Sequence, residues 1–299
     1  MSWSISVLRS RKRSAHANCA AVFPQITGNP EMRDARGVEI CSLSDKGQVR
    51  RENQDNTLVD PANALFILAD GAGGGLGGGT ASRLTVDTMG GRVQSLLRGS
   101  RRYRIWDRQP RASRLTEILS TAAQAANSVV VSAASTSSEL TGMASTVVAG
   151  VIDAQRCIAV TAGDSRIYLF RGGRLAQVSE DHSLARQLIE RGFISEDDNK
   201  ASKYRNVLTR AVGMQENIEL STHDIALESG DIVLACSDGL TNMVPDAAIA
   251  AVLSKAIPLE EQASELIQSA NEAGGLDNIS VILIRYRRLP TILSRLLGQ

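Results

Sequence analysis

The sequence predicts an α+β fold in which helix pairs flank a central antiparallel β-sandwich. Short apolar runs rich in β-branched residues are typical of buried strands, and they precede, separate and follow pairs of segments with helical spacing. Strands and helices do not alternate regularly, as they would in a doubly wound βαβ fold. Helix pairs that cover an antiparallel sandwich are therefore the expected arrangement.

The first strands are expected after a long N-terminal segment. Residues 1–36 mix Ser, Ala, Arg and Pro without periodicity, so we expect a flexible extension or a misassigned start there. From Val38 onward, the patterns VEICSL, TLVD and LFILAD indicate three strands. Helical spacing then predicts helices over residues 80–97 and 115–134.

The second half of the chain is predicted to contain further strands and three more helical segments. Strands are expected at residues 145–151, 157–162, 166–170, 175–178, 218–224, 231–236 and 279–285, with the turn R-G-G-R at 171–174 closing a hairpin. Helical patterns cover residues 182–198, 246–253 and 259–273. We expect one domain over residues 37–287, followed by a short C-terminal tail at 288–299.

Seven arginines surround Tyr103 and Trp106 between the first two predicted helices: Arg98, Arg101, Arg102, Arg104, Arg108, Arg111 and Arg114. Interleaved basic and aromatic residues would suit RNA or an acidic partner, but a solvated loop between helices has the same composition. Because 33 Lys and Arg balance 32 Asp and Glu, the overall charge favours the loop and predicts no nucleic-acid partner.

The composition also limits the compartment. Four cysteines are widely spaced without a C-x-x-C pair, which favours a reduced, cytoplasmic protein. No apolar stretch approaches the ~18 residues of a membrane span, so no membrane insertion is expected. No apolar segment follows the N-terminal basic cluster, which argues against a signal peptide. We expect a monomer.

Four aspartates stand at the ends of predicted strands. Asp70, Asp164 and Asp238 each follow an apolar run at a tight turn, and Asp277 precedes the last run. Such ends can converge on one edge of a sheet. Clustered carboxylates raise each other's pKa unless a cation neutralises them, and oxygen-only ligands favour Mg²⁺ or Mn²⁺ over zinc. The pattern indicates a metal-dependent hydrolytic site.

The segment D-K-G-Q-V-R-R-E-N-Q-D, which ends at Asp55, joins a guanidinium to a carboxylate upstream of Asp70. Arg50 can bind a phosphoryl group through two parallel hydrogen bonds, and it stays charged at any working pH. Asp55 lies five residues further along the chain and could reach a metal's ligand shell.

Eight motifs together resemble a known family. They are D-x-G-x-x-R-x-x-N-Q-D, L-A-D-G, G-M-A-S-T, A-G-D-S-R, E-D-H-S-L, N-V-L-T-R-A-V-G, C-S-D-G-L and G-G-L-D-N-I-S. Their order and spacing over residues 38–286 closely resemble the bacterial PPM-type, or protein phosphatase 2C-like, serine/threonine phosphatases. The resemblance implies a four-layer αββα fold with a flap segment near residues 181–204.

The resemblance also implies two Mn²⁺ or Mg²⁺ ions and allows a third. By motif, Asp70 would bridge two ions, with the carbonyl of Gly71 on the first ion. Asp238 and Asp277 would bind the second ion. Asp164, together with Asp238, matches the position of the third ion.

The remaining implied roles concern water and phosphate. Asp55 would hold water bound to the metals, and Arg50 would bind the substrate phosphate. The implied reaction is direct attack on phosphoserine or phosphothreonine by a hydroxide that bridges two ions ~3.5–4 Å apart. The implied partners are a phosphorylated protein and the bacterial Ser/Thr kinase whose action is reversed. Catalysis would then rest on Arg50, Asp55 and Asp70.

A pseudophosphatase, which binds phosphorylated partners without turnover, is the alternative. The retained aspartates and Arg50 favour the enzyme. The binder is favoured only by the altered loop D-G-A-G-G-G-L-G-G-G-T, which has Ala72 and Gly75 where the bacterial pattern has Met and His. The loop lacks the Lys of a P-loop, so we expect a close backbone turn beside the metals. His182 could contact substrate or transfer a proton, although a helix-capping neighbourhood also explains it.

Overall fold

The structure is a computed structural model that describes residues 37–74, 76–102, 110–195 and 203–288. The strands in these ranges are β1 Val38–Asp45, β2 Asp55–Asp60, β3 Leu65–Ala72, β4 Ala144–Ser145, β5 Val147–Asp153, β6 Arg156–Ala162, β7 Arg166–Arg171, β8 Arg174–Gln177, β9 Ser221–Ala226, β10 Ile232–Cys236 and β11 Ile279–Tyr286. The α-helices are α1 Gly77–Arg102, α2 Arg111–Ala134, α3 Leu184–Glu190, α4 Asp238–Thr241, α5 Asp246–Leu253 and α6 Leu259–Glu272, and 3₁₀ turns cover Pro61–Asn63 and Ser138–Leu140.

The strands form two antiparallel sheets. One sheet has the order β1-β11-β10-β7-β8, and the other has the order β2-β3-β5-β6-β9, with β4 paired to β3. The R-G-G-R turn closes the β7–β8 hairpin, in which Arg171 pairs with Arg174. Strand β11 lies between β1 and β10, so the last strand in the described chain occupies the interior of its sheet.

The continuous apolar runs arise because the central strands are buried on both faces. In β3, Leu65 and Ile67 pack against helices α1 and α2, whereas Phe66 and Leu68 face the other sheet. Strand β11 alternates in the same way between the inter-sheet core and the core under α5 and α6. Both strands therefore need apolar side chains at nearly every position.

Three apolar cores thus separate four layers. The first core lies between α1–α2 and the β2-β3-β5-β6-β9 sheet, the second between the two sheets, and the third between the β1-β11-β10-β7-β8 sheet and α5–α6. This arrangement confirms the predicted α+β class and the sandwich flanked by helix pairs.

Some element boundaries differ from the prediction. Helix α1 begins at Gly77, three residues before the predicted start, and β9 begins at Ser221 rather than at residue 218. The short helix α4, which begins at Asp238, was not predicted. The predictions for residues 1–36 and 289–299, and for Tyr103 and Trp106, lie outside the described residues.

The described part of the flap segment contains α3. Ser183 caps this helix by accepting a hydrogen bond from the Arg186 amide, which agrees with a capping neighbourhood around His182. Asp181 is held by two hydrogen bonds from Arg166, at 2.8 and 2.7 Å. Across the described ranges, no helix has both the length and the apolarity that a membrane span requires. Cys41, Cys157 and Cys236 are buried free thiols.

Candidate metal centre

One end of the sandwich brings together the five aspartates to which the sequence assigned metal binding. Asp55 and Asp70 lie directly opposite each other in the β2–β3 pair. Asp164 lies in the turn between β6 and β7, Asp238 begins α4, and Asp277 lies two residues before β11. Asp70 interacts electrostatically with the four other carboxylates.

Asp55 is the most deeply buried of these side chains, with 5% of its surface exposed. Its Oδ2 accepts a hydrogen bond of 2.8 Å from Ser237 Oγ, whereas its Oδ1 has no hydrogen-bond partner among the described residues. Burial raises the pKa of the Asp55 carboxyl to about 7, and the charges of Asp238 and Asp277 contribute to the increase. The site therefore disfavours the charged form of Asp55 unless a cation is close.

Three other carboxylates of the site respond in the same way. Burial, followed by the charges of Asp55 and Asp238, raises the pKa of Asp70 well above its usual range. The pKa of Asp164 is raised to about 7 by burial and then by Asp238. The pKa of Asp238 is raised to about 6 by burial and then by Asp277. The charged carboxylates therefore repel one another in this partly buried site.

Arg50 lies at the edge of this cluster. Its Nη2 donates to Asp277 Oδ2 at 2.6 Å, and its side chain is 53% exposed. The hydrogen bond to Asp277 is the main cause of the raised pKa of Arg50, to which the charges of Asp70 and Asp238 also contribute. Arg50 thus combines contact with the carboxylates and access to solvent, as a residue that binds a phosphate entering from outside requires.

The donor set fits divalent cations. In the described ranges, no three His, Cys, Asp or Glu side chains are close enough as they stand to hold one ion. However, the buried Oδ1 atoms of Asp55 and Asp238 have no hydrogen-bond partner. Uncompensated buried charge typically costs several kcal/mol. Because the donors are all oxygens, Mg²⁺ or Mn²⁺ would satisfy these atoms better than zinc.

Glycines let the backbone segments of the site touch. A Cβ on Gly71 would lie 2.1 Å from the carbonyl oxygen of Gly78, and a Cβ on Gly239 would lie 2.0 Å from the carbonyl oxygen of Asn278. Both distances are far below van der Waals contact, so only glycine fits. The predicted close backbone turn after Asp70 is thus the place where β3 meets the start of α1.

Asn278 holds the Arg50 loop against Asp277. Its Oδ1 accepts from the Gln54 amide at 2.8 Å, and its Nδ2 donates to the carbonyl oxygens of Lys46 and Glu52, each at 2.9 Å. Its own amide donates to Asp277 Oδ1 at 2.8 Å. One side chain therefore fixes the β1–β2 loop, which carries Arg50, at three points.

Thr146 does the same for Asp70. The Asp70 amide donates to Thr146 Oγ1 at 2.9 Å, and the Thr146 amide donates to the Asp70 carbonyl at 2.8 Å. Thr146 Oγ1 also lies 2.8 Å from the hydroxyl of Ser165, the residue after Asp164. These bonds connect the Asp70 and Asp164 turns.

The ring of His182 supports the Asp164 turn. Its Nδ1 accepts from the Gly163 amide at 3.1 Å, which leaves Nε2 protonated beside Ser221 Oγ, at 2.9 Å. Burial is the main reason that the pKa of His182 is lowered to about 4. With both ring nitrogens engaged and the ring neutral, His182 is unsuited to donating a proton to a leaving group.

Sequence reasoning gave no role to Asn278 or Thr146, although both lie within the quoted motifs. Their position in the sequence could have pointed to a role, because Asn278 directly follows Asp277 and Thr146 ends G-M-A-S-T. Their hydrogen bonds join residues that are far apart in the sequence. Composition and periodicity carry no information on such contacts.

A family model described as protein phosphatase 2C matches residues 46–279. The chain belongs to the protein phosphatase 2C family. The serine/threonine phosphatase Stp of Listeria innocua is 33% identical to it, over 81% of this chain and 93% of its own length. Protein phosphatase PhpP of Streptococcus pneumoniae is 35% identical, over 83% of this chain and 97% of its own length.

Solved structures agree with this family. The catalytic domain of the serine/threonine protein phosphatase PstP, in complex with two manganese ions, is similar with a TM-score of 0.67 and 30% identity, covering 84% of this chain and 98% of that chain. The family and the enzyme class predicted from the motifs, a serine/threonine protein phosphatase of the 2C type, are confirmed.

The pH dependence of stability tests the carboxylate cluster of this 2C phosphatase. Asp55 and Asp164 have a pKa of about 7 in the folded protein, compared with an ordinary value of 3.8. Their contribution to stability is therefore present at low pH and is lost as the pH rises through about 7. In EDTA, we expect the Tm to fall between about pH 6.5 and pH 8. Unfolded His182 and His223, with an ordinary pKa of 6.5, lose their protons near the start of this range, and this offsets part of the fall because burial lowers the pKa of both in the folded protein.

Two comparisons make this measurement specific to the cluster. Mn²⁺ should remove most of the fall, because the ions replace protons as counter-charges. Asp70→Asn in EDTA should have a higher Tm than the parent at pH 8, by about 2–4 °C for each kcal/mol of repulsion removed. A Tm in EDTA that does not change over this pH range would contradict the assignment.

Gly78→Ala tests the contact between β3 and α1. Its Cβ would lie 2.5 Å from Gln54 Oε1 and 2.7 Å from the Gly71 carbonyl oxygen, so we expect displacement of the Asp70 turn and weaker Mn²⁺ binding in a calorimetric titration. Gly91→Ala is the matched control on the same helix, because its Cβ would meet no atom within 4 Å. The control should keep Mn²⁺ affinity and gain ~0.5–1 kcal/mol of stability. Equal Mn²⁺ affinity in both variants would show that the contact is unimportant.

Proposed function

We propose that this 2C phosphatase depends on Mn²⁺ or Mg²⁺ to hydrolyse phosphoserine and phosphothreonine in proteins. The observation that carries the proposal is the group of buried carboxylates with unsatisfied oxygens beside a solvent-accessible arginine. The proposed site consists of Arg50 for the phosphate and of Asp55, Asp70, Gly71, Asp164, Asp238 and Asp277 for the ions and their water.

The bound ions would supply a nucleophile at neutral pH and positive charge against the transferring phosphoryl group. In this proposal Asp70 would help to hold the ions at the centre of the site, since its carboxylate interacts electrostatically with the four other aspartates. Asp55 lies opposite it, and its unpaired Oδ1 can accept a hydrogen bond from the attacking water. Asp55 would then orient the water that the ions hold, and this contact would satisfy its buried Oδ1.

Arg50 would orient the substrate. Within the described part of the chain, Arg50 donates one of its five N–H groups to Asp277, which would leave the others for the phosphate oxygens. A carboxylate has about four acceptor positions, which lets Asp277 bind Arg50, the Asn278 amide and an ion together. Arg50 would therefore join the ion site to the phosphate and stabilise the charge that develops on the phosphate oxygens.

The protonation of the leaving oxygen has no assigned donor among the described residues. Ala72 has no proton to donate, and His182 is engaged through both ring nitrogens. Phosphoryl transfer needs little covalent chemistry from the protein, so positioning and charge stabilisation would carry most of the catalysis. The chemistry supplied by the site would then be electrostatic rather than acid–base.

The wider setting follows from the same proposal. The domain would span residues 37–287 and act as a monomer in the cytoplasm. It would remove phosphate groups that a bacterial Ser/Thr kinase has added to a protein. The relatives, which are named as phosphatases, give no support to a pseudophosphatase that only binds phosphorylated partners.

Hydrolysis assays test metal dependence and turnover. With Mn²⁺ or Mg²⁺, the purified protein should release phosphate from p-nitrophenyl phosphate and from a phosphothreonine peptide. EDTA should abolish this release. Asp70→Asn should lose at least ~100-fold in kcat, because it removes the shared charge on the ions. Binding of the phosphopeptide without hydrolysis under any metal would favour the pseudophosphatase. Full activity of Asp70→Asn would remove Asp70 from the site.

Arg50→Ala tests phosphate binding separately. We expect KM for p-nitrophenyl phosphate to rise by roughly tenfold, with a smaller loss of kcat. Mn²⁺ affinity should stay the same or increase, because the variant removes a positive charge beside Asp70 and Asp238. Arg51→Ala, which changes the neighbouring exposed arginine, is the matched control and should leave KM unchanged. An unchanged KM in Arg50→Ala would exclude Arg50 from phosphate binding.

A further inference from the structure

Two exposed apolar side chains directly precede two residues of the proposed site. Val49, which is 61% exposed, precedes Arg50, and Leu276, which is 56% exposed, precedes Asp277. Elsewhere on β1–β2 loop positions 46–53, the exposed side chains are polar or charged. The position of the two apolar side chains beside the site makes them candidates for contact with a partner, because removing apolar surface from water is worth about 25 cal/mol per Å².

The two residues belong to one rigid part of the surface. The amides of Gln48 and Val49 both donate to the Gly275 carbonyl, at 2.8 and 3.3 Å. The next residues of the two segments, Arg50 and Asp277, form the 2.6 Å ion pair. Val49 and Leu276 are therefore attached to backbone that is held in place on both sides of the proposed phosphate-binding residue.

We propose that Val49 and Leu276 form an apolar rim that contacts an apolar side chain of the protein substrate, one or two positions from the phosphorylated residue. This inference rests on the proposed function, because the phosphate on Arg50 sets the register of the substrate. Consecutive Cα atoms lie 3.8 Å apart in any chain. A residue next to the phosphoresidue is thus displaced from it by about as much as Val49 is from Arg50.

The rim would give the phosphatase a sequence preference that the ions and Arg50 cannot provide. These groups bind the phosphate, which is common to all phosphorylated substrates. Contact with an apolar side chain removes apolar surface of both partners from water, so it favours Leu, Ile or Val beside the phosphoresidue over Ser or Glu. Discrimination by one apolar contact typically reaches about tenfold or more.

Paired phosphopeptides test the rim. Two phosphothreonine peptides would differ only in having Leu or Ser at the two positions on each side of the phosphothreonine, and kcat/KM would be measured for both with Mn²⁺. The wild type should favour the Leu peptide by about tenfold. The double variant Val49→Ser/Leu276→Ser should reduce this ratio to less than about twofold. Val129→Ser is the matched control, because Val129 is 39% exposed on helix α2 and should keep the full ratio.

The outcomes separate the rim from the proposed function. The wild type could hydrolyse p-nitrophenyl phosphate and also hydrolyse the two peptides with equal kcat/KM. That result would overturn the proposed rim and leave the metal-dependent phosphatase intact. If no substrate is hydrolysed, the proposed function fails. Fluorescence anisotropy of the labelled peptides then tests the rim, and equal affinities would overturn it.

A second copy of the chain could bind to the rim instead of a substrate. Light scattering at the assay concentration tests this for the wild type and the double variant. A wild-type dimer that becomes a monomer in Val49→Ser/Leu276→Ser, with no change in peptide ratio, would overturn the proposal in favour of self-association. A monomer in both, with the loss of the ratio, would support it. Unchanged Tm values would show that the double variant is folded.

Discussion

The mutual repulsion of partly buried carboxylates is the constraint on which this structure depends. Five aspartates from distant parts of the chain meet at one end of the sandwich, and burial and neighbouring charge raise the pKa of Asp70 together with those of Asp55, Asp164 and Asp238. Such a site destabilises the fold until a cation neutralises it. The rest of the protein must therefore be stable enough to hold the aspartates together.

The three apolar cores provide that stability, and local hydrogen bonds set the positions. The central strands bury both faces, so the sandwich forms a stiff support for the turns at its end. Asn278 and Thr146 then fix the turns through backbone groups, and Gly71 and Gly239 allow the backbones to touch. The carboxylates themselves are left with few partners inside the protein, which keeps their oxygens available for ions.

The strands and the aspartates at their ends could be predicted from the sequence, because they depend on local patterns of residues. Runs such as LFILAD and NISVILIRY predict strands buried on both faces, and an aspartate at the end of each is visible without a structure. The start of α1 at Gly77 was missed because glycine is a poor helix former, and tertiary contact with Gly71 overrides that preference. The bonds of Asn278 were not predictable either, since they connect loops that only the folded sheet brings together.

The position of β11 has a consequence for how the protein is made. This strand pairs with β1 on one side and β10 on the other, so the first and last strands of the described chain are neighbours. Loop closure over nearly the whole domain is slow, and a chain still on the ribosome would lack the interior strand of one sheet together with Asp277. During synthesis, the open edges of β1 and β10 would be exposed to mispairing. Catalytic competence would then arise only after Asp277 and β11 have been synthesised, so that chains lacking them are inert toward the phosphoproteins around them.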